Sequence, residues 1–457
     1  MFVGRKEEME YLESMYRSSG YDLMVMYGRR RIGKTELLER FADGKRSVFF
    51  TARNSTPEKN ISAFLEEIPR KYIVGRESLD QVLESVAQMA EDTADGRLLL
   101  VIDEFPYLAN SVPGAASDLQ IAIKERFEKL NIMIVLCGSS MGAMIDGVLG
   151  SKSPLYGRRT GTIPLQPLDY LEAREMLAGF TRDEALAIYG MVGGVPAYLQ
   201  KFDSSKSLDA NIADLFLRRL SPFQDEVEYL MREEMRNPRA YTAIIDAIAA
   251  GKTRISDISD AVKDSTALTS SRMEDLVKLG FVRRNTPYRG DSTKRTRYTL
   301  NDHYLRFHYA ILEGHTVRNT DESRAAALKR IHGEMDPYLG RVFEDVCRTY
   351  CLNMLGCTEA GGWWGPDSKR KETAEIDIVG ADTEAEEDIL LFAECKYTNE
   401  RVGLTELNTL RERSMLVKCE GRRYALFSAS GFDERLVKVA EAEGVTLVTM
   451  DDLYPDG

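Results

Sequence analysis

Histidine is scarce in this sequence, and cysteine is scattered. Only His303, His308, His315 and His332 occur in 457 residues, which leaves little material for histidine-based metal or triad chemistry. The six cysteines are Cys137, Cys347, Cys351, Cys357, Cys395 and Cys419. None forms a CxxC pair, so reduced thiols are expected rather than a disulfide framework or a zinc site. No apolar run approaches the ~20 residues of a membrane span. The opening residues, MFVGRKEEMEYLE, are charged rather than signal-like. Together these features predict a cytoplasmic protein with no membrane partner. Low-complexity tracts and internal repeats are also missing. The net charge of -12 argues against a surface that coats nucleic acid along its length. A local basic patch remains compatible with it.

What is present is ordinary globular composition, 43% hydrophobic and 29% charged, in a chain long enough for roughly three domains. Up to about residue 200, short apolar runs alternate with amphipathic segments, the rhythm of an α/β fold with a parallel sheet. Strands are expected at Leu23–Tyr27, Ser47–Thr51, Leu98–Ile102, Ile132–Leu136 and Thr162–Leu165. These are continuous apolar runs, as for strands covered on both faces. The predicted division is a P-loop core at 1–166, a helical lid at 167–235, a winged helix-turn-helix at 236–310 and a second α/β domain at 311–457.

The first motif with chemistry in it is MVMYGRRRIGKTELLERF, a strand, a GxxxxGKT loop and a helix. Gly28 and Gly33 permit the tight path. The backbone of Arg29, Arg30, Arg31 and Ile32, with the helix start Lys34, Thr35 and Glu36, supplies amide donors and a positive helix end to phosphates. Lys34 is expected to reach the β- and γ-phosphates of ATP and to be surface-facing, and the Thr35 hydroxyl to ligate Mg²⁺. The strand LLLVIDEF ends in Asp103, expected in the Mg²⁺ shell, and Glu104, expected to polarise the attacking water. At the tip of IMIVLCGSSMG, Ser139 or Ser140 is placed to sense the γ-phosphate, with a helix N-cap as the bland alternative. The loop YGRRTG offers Arg158 and Arg159 as charge-stabilising groups, acting in cis or on a neighbouring subunit of a homo-oligomer. Gly193, Gly194, Val195 and Pro196 form a tight turn that either touches nucleotide or is turn chemistry alone.

Further along, the ribbon at 281–300 carries Arg283, Arg284, Arg289, Lys294, Arg295 and Arg297 against one acid, Asp291. That is a basic wing suited to DNA phosphates, or one packed on protein with its charges paired. The helix before it, TALTSSRMEDLVKLG, is not basic. In the last segment, a helix at Leu339–Leu355 carries Glu344. Strands follow at Ile376–Val379 and Ile389–Tyr397, then a helix at 404–417 and a strand at Tyr424–Ser428. Period-2 alternation puts Asp377 on one face with Glu375 and Val379, and Glu394 with Lys396. Two carboxylates and an ammonium on adjacent strands are the minimum set for Mg²⁺-assisted phosphodiester hydrolysis. Trp363 and Trp364 are expected in core packing rather than stacked on nucleic acid.

The motifs MFVGRKEEMEYL, GRRRIGKTELL, LLLVIDEF, LCGSSMG, LYGRRTG and GGVPAYL, in that order over residues 1–230, resemble the archaeal ATPase family of the STAND and AAA+ group. The resemblance implies that Phe2, Val3, Gly4 and Arg5 lie near the adenine. Asp377, Glu394 and Lys396 resemble the PD-(D/E)XK nuclease superfamily, with Glu344 as its helix glutamate, although Ile376 stands where that superfamily's name has proline. NDHYLRFHYAIL, GRVFEDV, GGWWG, AEIDIVG and AECKYT, over about 300–457, are similar to the domain often fused to such ATPases. The leading expectation is therefore an ATP-hydrolysing protein acting on DNA through a winged helix and a metal-dependent nuclease-like domain, with Glu344, Asp377 and Glu394 as metal ligands. The rival expectation is an ATP-controlled switch whose last domain binds without cutting. A protein-assembling scaffold is a third.

Overall fold

The computed structural model describes residues 2–92, 96–235, 237–289, 295–313 and 320–455. The chain divides into two compact units, Met1–Leu168 with Val195–Ala197, and Asp169–Gly194 with Tyr198–Gly457.

In the first unit, β1 (Tyr21–Tyr27), β2 (Ser47–Thr51), β3 (Leu98–Asp103), β4 (Ile132–Gly138) and β5 (Gly161–Pro164) form one sheet in the order β2-β3-β4-β1-β5. Every neighbouring pair is parallel. Parallel neighbours need crossover segments, and helices here supply cover for both faces. The apolar runs divide by parity. Leu23, Val25, Leu98, Leu100, Ile102, Ile132, Ile134 and Leu136 enter the core beneath helices such as Leu79–Glu91 and Ala115–Glu125. Met24, Met26, Leu99, Val101, Met133, Val135 and Cys137 pack on the other side with Leu12, Leu37, Leu38 and Phe41 from helices Lys6–Arg17 and Lys34–Ala42. This two-sided burial explains why the strands read as unbroken apolar runs.

The second unit begins with short helices, including Tyr170–Met176 and Arg182–Val192, each opened by a capping box on Asp169 or Thr181. Helices Pro238–Ala249, Ile255–Val262 and Thr266–Lys278 precede an antiparallel ribbon of β6 (Val282–Asn285) and β7 (Arg297–Leu300). A five-stranded mixed sheet follows, made of β8 (Glu359–Asp367), β9 (Glu372–Ala381), β10 (Ile389–Lys396), β11 (Gly421–Ser428) and β12 (Thr446–Thr449). Its order is β12-β11-β10-β9-β8, antiparallel from β8 to β10 and parallel from β10 to β12.

Three features differ from the sequence expectation. Strand β8 is an addition: GGWWG pairs with β9, and its three glycines hide the strand pattern. The helix expected to start at Leu339 runs from Asp321 to Met354 and passes through Pro337. Ala327, Ile331, Met335 and Tyr338 keep one face of its first half buried, which sustains a helix through a residue that usually ends one. Finally, β9 is not strictly alternating. It slips by one residue against β8 between the pairs Gly361–Val379 and Trp363–Ile376. Ile376 and Val379, three apart, therefore both enter the same core, and Asp377 sits inside the irregularity, the kind of place where a bulge re-aims a side chain.

Candidate functional site

The P-loop joins β1 to helix Lys34–Ala42. A Cβ on Gly28 would lie 2.4 Å from the Leu165 carbonyl oxygen, and Gly33 has φ +91°, so both positions require glycine. Lys34 is not surface-facing. It is 5% exposed, and its ammonium donates to the carbonyl oxygens of Gly28 and Arg29, each at 2.8 Å. A buried ammonium needs acceptors, and the curled loop supplies them. The Thr35 hydroxyl donates to Asp103 Oδ2 at 2.8 Å, so the two side chains expected around Mg²⁺ already converge. They fit an ion that takes few protein ligands and keeps its waters.

Glu104 follows Asp103 at φ 51°, in the left-handed region, which turns its side chain away from the strand direction. Its Oε2 accepts from the Ser139 amide at 3.2 Å and the Ser139 hydroxyl at 2.8 Å. Thr35, Asp103, Glu104 and Ser139 thus form one line across the ends of β3 and β4. Ser140 precedes the short helix Met141–Met144 as its N-cap residue, without a side-chain cap bond.

The remaining expected residues of this unit take varied positions. Arg5, buried and at φ 64°, donates to the Ile32 carbonyl at 3.0 Å. Gly4 and Val3 lead into that contact, and the Phe2 ring lies under the Arg40 guanidinium at 4.4 Å. Arg30 donates to the Tyr107 hydroxyl. Arg31 takes a left-handed φ of 69°, and its carbonyl accepts from Ala197 at 3.4 Å, bringing the Val195–Ala197 segment back to the loop. Glu36 pairs with Arg40 at 3.5 Å. Arg158 pairs with Glu128 at 2.7 Å.

In the second unit, Asp377, Glu394 and Lys396 come together. Lys396 Nζ donates to Glu394 Oε1 at 2.7 Å, and Asp377 Oδ2 accepts from the Cys395 amide at 2.8 Å. Glu394 is 7% exposed, and its other oxygen, Oε2, has no hydrogen-bond partner. Arg413 lies 3.9 Å from that oxygen. Burial and the Glu394 charge push Asp377 up to about 6, against the Cys395 amide, Lys396 and Arg413. Burial and then Asp377 push Glu344 up to about 7. For Lys396, burial lowers the pKa, but the bond to Glu394 outweighs it and the net shift is upward. A pair of mutually repelling carboxylates with an orphaned oxygen suits a divalent cation. Among the described residues, however, no group of three or more His, Cys, Asp or Glu side chains is arranged to hold a metal. Two carboxylates plus substrate oxygens and water remain the donor set available for Mg²⁺.

Residues 2–202 match a family described as an ATPase domain predominantly from Archaea. Residues 308–410 match a family of archaeal and bacterial proteins of unknown function. An uncharacterised protein of Methanocaldococcus jannaschii is 27% identical over 406 residues, covering 87% of this chain and 88% of its own. An uncharacterised ATP-binding protein of the same organism is 48% identical over 46 residues, 10% of this chain and 78% of that one. The Walker-type ATPase of Pyrococcus abyssi shares the fold, with a TM-score of 0.51 at 22% identity, over 67% of this chain and 96% of that one. The matches support an archaeal ATPase family. ATP binding and hydrolysis are the activity that the ATPase-domain match supports.

Beyond residues 2–202, three arginines of the basic ribbon are paired with acids, the arrangement of the second of its two expected readings. Arg283 reaches Asp345 at 3.1 Å, Arg289 pairs with Asp388, and Arg297 pairs with Glu375 at 2.9 Å while lying 4.7 Å over the Trp364 ring. Trp364 also donates to the Arg295 carbonyl at 3.2 Å. Arg283 is matched by an acid on helix Asp321–Met354, Arg297 by one on β9 and Arg289 by one just before β10, so each of these three guanidiniums has a carboxylate partner within the fold. Asp291 and Lys294 lie outside the described residues, as does His315. Trp363 is in the core as expected, whereas Trp364, expected there too, is half-buried beneath Arg297. All six cysteines are free, and no helix among the described residues is long and apolar enough to cross a membrane.

Sequence reasoning missed Asp345, Arg413 and Tyr107. Asp345 had one available signal, Arg348 three residues on along the same helix face. Arg413 and Tyr107 had none, because their partners are distant in sequence.

Proposed function

We propose that this protein is a Mg²⁺-dependent ATPase whose C-terminal sheet holds a second Mg²⁺ site acting on nucleic-acid phosphodiesters. The observation that carries the first part is the Thr35–Asp103–Glu104–Ser139 line. Thr35 and Asp103 would hold Mg²⁺, which neutralises phosphate charge. Lys34 exchanges its carbonyl partners for β- and γ-phosphate oxygens, and Glu104 takes the proton of the attacking water. Ser139 orients that carboxylate, whereas Arg158, expected to stabilise phosphate charge, is paired with Glu128 beside Tyr21 at the start of β1, the end of that strand opposite the P-loop. The second part rests on the unpartnered Glu394 oxygen beside Asp377. Asp377 and Glu394 would hold the ion, Lys396 would stabilise negative charge at phosphorus, and Glu344 would stand in the outer shell. In this reading residues 167–235 act as a lid, 236–310 as a winged helix used for packing, and 311–457 as a PD-(D/E)XK-like domain.

The test uses two variants of the full chain. Glu104→Gln is expected to keep ATP affinity and slow hydrolysis about 10²–10⁴-fold. Asp377→Asn is expected to remove Mg²⁺-dependent DNA cleavage and leave ATP turnover at the parental rate. Unchanged turnover in the first, or cleavage persisting in the second, refutes the corresponding half. The switch reading, binding without cutting, is favoured by the limited carboxylate grouping. Absence of cleavage by the parent on plasmid and on single-stranded DNA, with Mg²⁺ and with Mn²⁺, would establish it over the nuclease reading.

A further inference from the structure

Beside the carboxylates, at the C-terminal end of β10, lies a cleft of about 410 Å³ lined by Lys396, Thr398, Asn399, Arg401 and Glu406 among others. Its walls are fixed by backbone bonds. The Val402 amide donates to Gly431 and its carbonyl accepts from Asp433, both at 3.0 Å, while the Ser430 hydroxyl donates to the Thr398 carbonyl. Glu406 is turned to helix capping, accepting from the Gly403 amide at 3.1 Å. Lys396 forms the junction between cleft and carboxylates, because its ammonium holds Glu394, the residue with the unpartnered buried oxygen. Arg401 is exposed at the cleft, with no ion pair to any described residue.

We infer that this cleft binds a single strand of nucleic acid, one nucleotide deep. Lys396 takes the phosphate next to the carboxylates and Arg401 takes the following one. The inference rests on the phosphodiester reading above and narrows it. Duplex docking by typical DNA-binding proteins uses about 6–10 phosphate contacts. Here the ribbon arginines Arg283, Arg289 and Arg297 face Asp345, Asp388 and Glu375, Lys396 reaches a phosphate only by sharing its bond to Glu394, and the chain carries a net charge of -12. Lys396 and Arg401, set against Glu400 and Glu406 in the same lining, make a short footprint. A volume of about 410 Å³ falls in the small-ligand class, enough for one unstacked nucleotide and too narrow for a double helix. Asn399 offers a donor and an acceptor to a base edge or sugar without a duplex groove to enter, while the Thr398 hydroxyl is held by the Glu400 carbonyl.

The experiment is fluorescence anisotropy on the full chain, with Asp377→Asn as background to prevent cleavage. The probes are a ten-residue oligothymidylate, a ten-residue oligouridylate and a blunt ten-base-pair duplex, in Mg²⁺ across a salt series. The oligothymidylate is expected to bind with a salt slope near -1.4, about 0.7 per phosphate for two phosphates. Arg401→Glu should raise its Kd at least tenfold while ATP affinity stays at the parental value. Equal affinity for the two single strands assigns the site to the shared phosphodiester chain, and a preference for one assigns it to that sugar. Tighter duplex binding, or an Arg401→Glu curve overlaying its background, overturns the inference. If the parent never cleaves but Arg401→Glu still weakens the oligothymidylate, the cleft stands and only the catalytic reading falls.

Discussion

Asp345 is the residue whose replacement says most about how the C-terminal site is held. Its carboxylate accepts four guanidinium N–H bonds. Arg306 donates to Oδ2 through both terminal nitrogens at 2.9 Å. Arg348 and Arg283 donate to Oδ1 at 2.8 and 3.1 Å. Burial alone would raise the Asp345 pKa, but the three arginines outweigh it and hold the carboxyl well below the ordinary carboxylate range. Asp345→Asn keeps the shape, removes the charge and places an NH₂ donor against donors. Arg306 then stays largely buried without its counter-charge, and removing one partner of such a pair costs about 3–5 kcal/mol. The 18% exposure of the Asp345 side chain places the expectation at the lower end, about 3 kcal/mol. Arg283→Ala, on the exposed arm of the cluster at 43%, should cost less than about 1 kcal/mol.

The assay is urea unfolding followed by tryptophan fluorescence, since both tryptophans of the chain lie in β8 and report on this sheet. The pH dependence has a defined sign. The folded pKa is depressed, so the stabilisation is present above the unfolded value of 3.8 and is lost as pH falls below it. The gap between parent and Asp345→Asn should therefore narrow toward pH 3. A change under 1 kcal/mol at pH 7, or a gap that widens in acid, would refute the account.

Gly28→Ala is expected to abolish ATP binding without unfolding the parallel sheet, because its Cβ must displace the Leu165 carbonyl or the loop itself; isothermal titration with ATP and Mg²⁺ checks it, and parental affinity contradicts it. Arg297→Ala should leave the salt slope of DNA binding unchanged and shift the tryptophan-detected unfolding by less than about 1 kcal/mol, as its partner is Glu375 rather than phosphate. A slope lower by about one unit would return the ribbon to nucleic-acid contact.

The first unit was legible because each signal was local. GxxxxGKT, the apolar runs and the acids closing LLLVIDEF lie on single segments, and a strand buried on both faces reads as such wherever its neighbours come from. The line from Thr35 to Ser139 was legible only as separate residues, since β4 must fold beside β3 before Ser139 can reach Glu104. The second unit resisted where long-range packing overrides local pattern. Pro337 argued for a helix end, but buried Ile331 and Met335 on one side and Leu339 and Val342 on the other carry the helix through it. Alternation put Val379 on the face of Asp377, but Val379 enters the core with Ile376, because of a register slip that depends on Gly361 and Trp363 of another strand. The arginines of the ribbon read as a phosphate surface because their partners, Asp345, Asp388 and Glu375, lie 62–99 residues away.

The two carboxylate groups share one structural logic. Asp103 closes β3, and Glu394 lies one residue pair from the end of β10. At a strand end the sheet still excludes water from two sides, while the chain on the third side departs and leaves an opening. A carboxylate there is buried enough to hold a cation firmly and open enough to meet a phosphate. The two ends differ in what restrains them. Asp103 accepts from Thr35 and from the Glu104 amide at 2.9 Å, so both its oxygens are engaged by neutral donors that a cation can replace or share. Glu394 has one oxygen on Lys396 and one with no donor. A neutral donor network is stable alone, whereas an unsatisfied buried oxygen costs roughly 1–3 kcal/mol until something binds it. Divalent cation should therefore stabilise the tryptophan-bearing sheet more than it stabilises the nucleotide-free parallel sheet. Unfolding with and without Mg²⁺ measures this directly: equal shifts would mean that the Glu394 oxygen is not waiting for an ion.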